Sequence, residues 1–168
     1  RRNPVSMDYA EATAYIESFI NYESHLPRAY DERTYGLGRM TRLLVALGEP
    51  HRELVCIHVA GTNGKGSVCA MLESILRAGG LRTGLFTSPH LIEPRERIRL
   101  DGVPISPEQF AVQVAHVRRA VDELADEVGP TFFELYTAVA LRLFRQQGVD
   151  VAVVEVGMGG RLDSTNVL

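Results

Sequence analysis

Two cysteines are all that the 168 residues contain. Cys56 and Cys69 cannot build a disulfide framework, and without a second pair they do not make a zinc site. They fall in an apolar strand and a helix, as small buried hydrophobes in a reducing cytoplasm would. An excess of one charge is missing too. There are 18 basic and 21 acidic side chains, a net charge of −3, which argues against a nucleic-acid partner or an anionic membrane surface. No apolar run approaches the ~18–20 residues that span a bilayer. Arg1-Arg2-Asn3-Pro4-Val5-Ser6 has no apolar stretch behind it, so a secretory leader is not expected. Internal repeats, low-complexity segments and linkers are absent. What remains is 45% hydrophobic and 23% charged, the composition of one globular domain able to bury a core.

One stretch organises the chain: Gly61-Thr62-Asn63-Gly64-Lys65-Gly66-Ser67. The apolar run 54–60 precedes it, and helical periodicity follows at Val68, Met71, Leu72, Ile75 and Leu76. Glycines let backbone N–H groups turn inward on an anion, and a helix N-terminus adds partial positive charge. Lys65 can reach terminal phosphates, and Ser67 can offer its oxygen to Mg2+. The general phosphate-loop pattern is not met: Val59 stands where its first glycine belongs, and Gly66 where its hydroxyl belongs. The loop is a shortened one.

Around it the elements read in order. A helix is expected over 8–20, with Ser6 as N-cap and Asp8 and Glu11 in its first turn. Residues 21–33 read as a loop. A second helix carries Leu37, Met40, Leu43, Leu44 and Leu47 and stops at Gly48 and Pro50. A strand over 82–87 ends in Ser88-Pro89-His90. Asp101-Gly102 between two short apolar runs signals a hairpin. Ser106 with Gln109, and Thr131 with Glu134, are capping-box patterns that each open a helix. Residues 149–156 are nearly all apolar and β-branched, as a strand buried on both faces requires. This order predicts an α/β fold, a doubly wound, mostly parallel sheet, with a helical lead-in over 1–50 and a phosphate-loop core over 51–168. No crossover helix follows the last strand, so the core reads as incomplete, with an edge strand open to self-association.

Ligands of such sheets bind at the C-terminal ends of the strands. There the phosphate loop, Ser88-Pro89-His90, and Glu155 with its glycine turn to Arg161 and Asp163 converge. A carboxylate in a dry strand needs a partner, and Mg2+ would serve Glu155; Arg161, Arg97 or solvent are the other solutions. Glu134 reads as a cap rather than a catalytic group. His90 is either a phosphate or substrate contact or a hydrogen-bonded loop group, and His58 reads as a core histidine. The basic run Arg95-Glu96-Arg97-Ile98-Arg99 either faces an anionic substrate or is a solvated face. Phe132 and Phe133 are either core or a stacking platform.

In their order, Gly61-Thr62-Asn63-Gly64-Lys65-Gly66-Ser67-Val68, Thr87-Ser88-Pro89-His90-Leu91, Glu96-Arg97-Ile98, Thr131-Phe132-Phe133-Glu134 and the run from Glu155 to Val167 resemble the folylpolyglutamate synthase / dihydrofolate synthase family of the Mur ligase superfamily. The resemblance runs from Met7 to Leu168. It implies a P-loop NTPase-like ATPase domain and an ATP-dependent amide ligase. ATP would phosphorylate a carboxylate of dihydropteroate or folate, and the amine of L-glutamate would displace the phosphate. By similarity, Gly61, Thr62, Asn63, Gly64, Lys65, Gly66 and Ser67 hold ATP. Lys65 and Glu155 look catalytic, and Ser88, Glu155 and Ser67 look like Mg2+ ligands. Thr131, Phe132, Phe133, Leu162 and Asp163 match segments that contact the pterin. The resemblance also implies an N-terminal fragment of a longer cytoplasmic enzyme, monomeric when whole, that lacks a further metal-ligand histidine, a carbamylated lysine and a C-terminal domain and is inactive alone. Another Mur-type amino-acid ligase and a non-catalytic nucleotide-binding module are the alternatives.

Overall fold

The computed structural model describes residues 7–23, 36–124 and 129–168. Ser6 and residues 24–33 of the expected loop lie outside these. The first helix, α1 (Tyr9–Glu17), is capped by Asp8 rather than by Ser6. The Asp8 carboxylate accepts from the Glu11 amide at 2.8 Å, and Glu11 accepts from the Asp8 amide at 3.0 Å, a reciprocal cap. Helix α2 (Leu37–Ala46) buries Met40, Leu43 and Leu44 and gives way to Gly48 at φ 79°.

Among the described residues five strands form one sheet: β1 (Cys56–Val59), β2 (Thr83–Phe86), β3 (Ile98–Leu100), β4 (Val103–Pro104) and β5 (Val151–Glu155). Their order is β1-β5-β2-β3-β4. The last strand in sequence lies between the first two, parallel to both β1 and β2. That position explains its unalternating sequence, since all five residues are buried. The hairpin β3–β4 adds antiparallel strands at one edge, turned by Asp101 (φ 49°) and Gly102 (φ 79°).

Helices cover both faces. On one lies α3 (Lys65–Ala78), where Cys69, Leu72 and Leu76 meet Ile57, Val59, Leu85 and Val153. The inward positions Cys69, Leu72, Glu73 and Leu76 follow helical spacing, and Glu73 is buried. The expected stripe is therefore rotated: Val68, Met71 and Ile75 face outward, 41%, 58% and 68% exposed. Glu73 sits inside because it accepts from the Thr83 hydroxyl at 2.6 Å and from Arg77 Nε at 2.9 Å.

The other face carries the main core, built by α1, α2, α4 (Pro107–Leu124) and α5 (Phe132–Gln147). Both predicted caps form there, Ser106 with Gln109 and Thr131 with Glu134. Alternation along β5 sends Ala152 and Val154 into this core and Val153 toward α3. Glu155 therefore shares the α3 side, under the phosphate loop.

Candidate functional site

The phosphate loop turns on Gly64, whose φ of 74° places it in the left-handed region that glycine adopts without strain. Helix α3 begins at the next residue, Lys65, with no side chain capping its first turn. Its leading N–H groups are left for an anion. Gly61, Thr62, Asn63, Gly64 and Ser67 are exposed, and Lys65 and Gly66 are half-buried.

Glu155 lies directly beneath this turn, 4% exposed. A Cβ placed on Gly66 would sit 3.6 Å from both Glu155 carboxylate oxygens. Glu155 Oε2 accepts from the backbone N–H of Ser88 at 2.8 Å, which joins the ends of β5 and β2. Among the described residues no arginine pairs with Glu155; Arg97 is committed elsewhere. A buried carboxylate with one backbone donor and two nearby hydroxyl-bearing residues suits a hard cation that takes its other ligands from phosphate and water. Among the described residues no cluster of three or more carboxylate, histidine or cysteine side chains forms a self-sufficient metal cage.

The adjoining cysteine is inert. Burial, then the Glu155 charge, push the Cys69 thiol up to about 12. Burial raises Cys56 to about 11. Neither carries a thiolate near neutrality.

Two residues beyond Glu155 a cleft opens. Thr131, Phe133, Leu162 and Asp163 line it, together with Arg39, Glu134 and Met158, for which the sequence carries no local signal of a substrate cleft. Gly157 is required at its wall, because a Cβ there would lie 2.6 Å from the Phe133 ring. Phe132 points away from the cleft into the core, 4% exposed, with its ring centre 4.9 Å from that of Tyr136. Successive helical positions face about 100° apart, so only one of two neighbouring phenylalanines can face the cleft.

Glu134 combines its cap with an ion pair. Its carboxylate accepts from the Thr131 amide at 2.6 Å and from Arg39 Nε at 3.2 Å. That pair ties α2 to the first turn of α5. Asp163 is held as tightly: Oδ2 accepts from the Met158 amide at 2.7 Å and Oδ1 from the Thr165 amide at 3.0 Å.

The arginines of the basic run are buried or half-buried rather than a solvated face. Arg97 is 1% exposed and makes a forked pair with Glu23, at 2.6 and 2.9 Å. It lies over the rings of Phe132 and Tyr136 at 5.1 and 5.0 Å. Arg97 Nε donates to His90 Nδ1 at 2.8 Å, so His90 is a hydrogen-bonded loop group. Burial, then Arg97, lower its pKa. Arg95 forks onto Glu93 and reaches the Ile105 carbonyl at 2.7 Å. Glu96 accepts from the amides of Leu91, Ile92 and Glu93, each at 2.9 Å, and so shapes the loop after Ser88. His58 is exposed rather than buried in the core, and its Nε2 lies 2.8 Å from Thr165 Oγ1.

No protein-family model matches the chain. Curated relatives do. The chain is 44% identical over 165 residues to a folylpolyglutamate synthase of Lacticaseibacillus casei, covering 96% of this chain and 36% of that protein. It is 46% identical over 136 residues to a dihydrofolate synthase/folylpolyglutamate synthase of Bacillus subtilis, covering 79% and 32%. A solved folylpolyglutamate synthase (FPGS) complex with AMPPCP and folate superposes with a TM-score of 0.86 at 44% identity, over 96% of this chain and 38% of that one. The ADP complex of the Mycobacterium tuberculosis enzyme gives 0.83 at 39% identity, over 95% and 34%. The chain thus spans about a third of the length of the relatives it matches. By sequence and by architecture it belongs to the folylpolyglutamate synthase family, within the Mur ligase fold.

Proposed function

We propose that this chain supplies the phosphate-binding and acceptor-binding parts of an ATP-dependent ligase that adds L-glutamate to dihydropteroate or folate. The observation that carries the reading is a junction. The uncapped first turn of α3, the buried Glu155 and the cleft beyond Gly157 meet at the ends of β1, β5 and β2. Relatives crystallised with AMPPCP and folate, and with ADP, support the pairing of a nucleotide with a folate.

In this reading the backbone amides of residues 61–66 bind the ATP phosphates, and Lys65 offsets the charge that spreads over the transferred phosphoryl group. Mg2+, when bound, adds positive charge at the phosphate oxygens, with Glu155, Ser88 and Ser67 as its protein contacts. Phe133 stacks on a flat acceptor, and Thr131, Leu162 and Asp163 fix its orientation. The acceptor carboxylate takes the phosphoryl group, giving an acyl phosphate and ADP. The glutamate amine then attacks the carbonyl carbon and expels phosphate. A reducing cytoplasm is the setting this reading assumes. A non-catalytic nucleotide-binding module is the second reading, since the uncapped first turn of α3 serves nucleotide binding with or without a reaction.

Calorimetric titration of Mg-ATP into the chain tests the proposal. Saturable binding is expected, weakened at least tenfold in Lys65→Ala, since a charge-assisted phosphate contact is worth roughly 1.5–3 kcal/mol. Equal binding by the variant would sink the loop assignment. ADP release that requires both folate and L-glutamate separates the ligase from the binding module.

A further inference from the structure

A hydrogen-bonded chain runs from β1 to the cleft, and of its side chains only the last, Asp163, has a part in the chemistry above. His58 lies on β1, on the same side as Cys56 and the main core. Its Nε2 is 2.8 Å from Thr165 Oγ1, and Thr165 is fully buried. The Thr165 hydroxyl donates to Asp163 Oδ1. The second oxygen, Asp163 Oδ2, accepts from the Met158 amide at 2.7 Å. Asp163 and Met158 both line the cleft. A hydroxyl has one proton, and Thr165 gives it to Asp163. Toward His58 its oxygen is therefore an acceptor, and His58 must carry its proton on Nε2.

We propose that His58 is a positioning residue: through Thr165 it fixes the Asp163 carboxylate in the cleft, and so ties the strand that enters the phosphate loop to the acceptor site. The acceptor half of this statement rests on the function proposed above; the coupling of His58 to Asp163 does not. The donor role has a specific chemical signature. Neutral imidazole with Nε2–H and imidazolium both donate from Nε2, so the link holds on either side of the His58 titration. A glutamine at 58 reaches as far and also donates; an alanine does neither.

The experiment is NMR of the 168-residue chain with a parallel folate titration. In the wild type, ring 15N shifts should report the Nε2–H tautomer, which needs no variant to fold. His58→Ala and Thr165→Val should each speed hydrogen exchange at the Met158 and Thr165 amides about tenfold, the worth of one buried hydrogen bond. Both should weaken folate binding by a similar factor and leave Mg-ATP binding unchanged. His58→Gln should restore exchange and affinity, and the double variant should be no worse than either single. A Nδ1–H tautomer, unchanged exchange in both variants, or glutamine behaving as alanine would each overturn the proposal. Failure of the wild type to bind folate would instead refute the acceptor reading, and the exchange rates would still decide whether His58 holds Asp163.

Discussion

Truncating Arg97 to alanine should destabilise the protein by ~4 kcal/mol. The magnitude follows from where the charge lies. An exposed ion pair contributes about 0–1 kcal/mol, whereas removing one partner of a buried pair costs roughly 3–5 kcal/mol. The Arg97 side chain is 1% exposed and that of Glu23 is 26% exposed. Glu23 can turn partly to water, so the lower bound of ~3 kcal/mol applies to the pair. Loss of the contacts over Phe132 and Tyr136 adds ~1 kcal/mol. For a domain of this size ~4 kcal/mol lowers the melting temperature by roughly 8–16 °C. Urea unfolding and a thermal scan read it directly. Arg97→Lys keeps the charge but loses the fork onto Glu23, and should fall between alanine and wild type. An alanine variant that loses less than ~1 kcal/mol would refute the reasoning, because that is the behaviour of a solvent-screened pair.

Two further perturbations probe the core and the pH response. Gly84→Ala would put a Cβ 2.7 Å from the fully buried Phe144 ring, so a loss of ~1–3 kcal/mol is expected in the urea midpoint. His116 on α4 has a pKa below its ordinary 6.5, lowered by burial and then by Arg142 and Arg119. The unfolded chain therefore protonates first. The contribution of His116 to stability is complete above about pH 6.5 and drains as the pH falls from there toward the folded value. Removing the ring with His116→Gln should flatten that part of the stability profile, and an unchanged slope would assign the acid sensitivity elsewhere.

Local signals in the sequence were legible. The caps at Ser106 and Thr131 involve residues three apart, and the Asp101-Gly102 hairpin is set by its own turn. The cap of α1 was displaced by two residues because Ser6 and Asp8 both precede the apolar repeat, and only Asp8 has Glu11 three positions on. The inward phase of α3 is hidden in the sequence for a related reason. Its inward row includes Glu73, whose polarity hides the stripe until Thr83 and Arg77 are seen to satisfy it. The partners that decide the remaining features are distant in sequence. Arg97 meets Glu23 across 74 residues and Arg39 meets Glu134 across 95, so no local pattern announces either pair. The cleft was half legible: Thr131, Phe133, Leu162 and Asp163 followed from family resemblance, while Arg39 and Met158 needed the fold.

The place of β5 between β1 and β2 has a consequence for biosynthesis. Strands β1 and β2 leave the ribosome before β5 but do not touch each other; each pairs with β5. Until Val151–Glu155 emerges, the α3 side of both strands has no common floor, and Val59 has no Glu155 opposite it to set the register of the phosphate loop. Nascent chains short of that strand expose Ile57, Val59 and Leu85 together, the surface that chaperones hold. The nucleotide site is therefore assembled only once β5 has emerged, well after its own sequence motif has been translated.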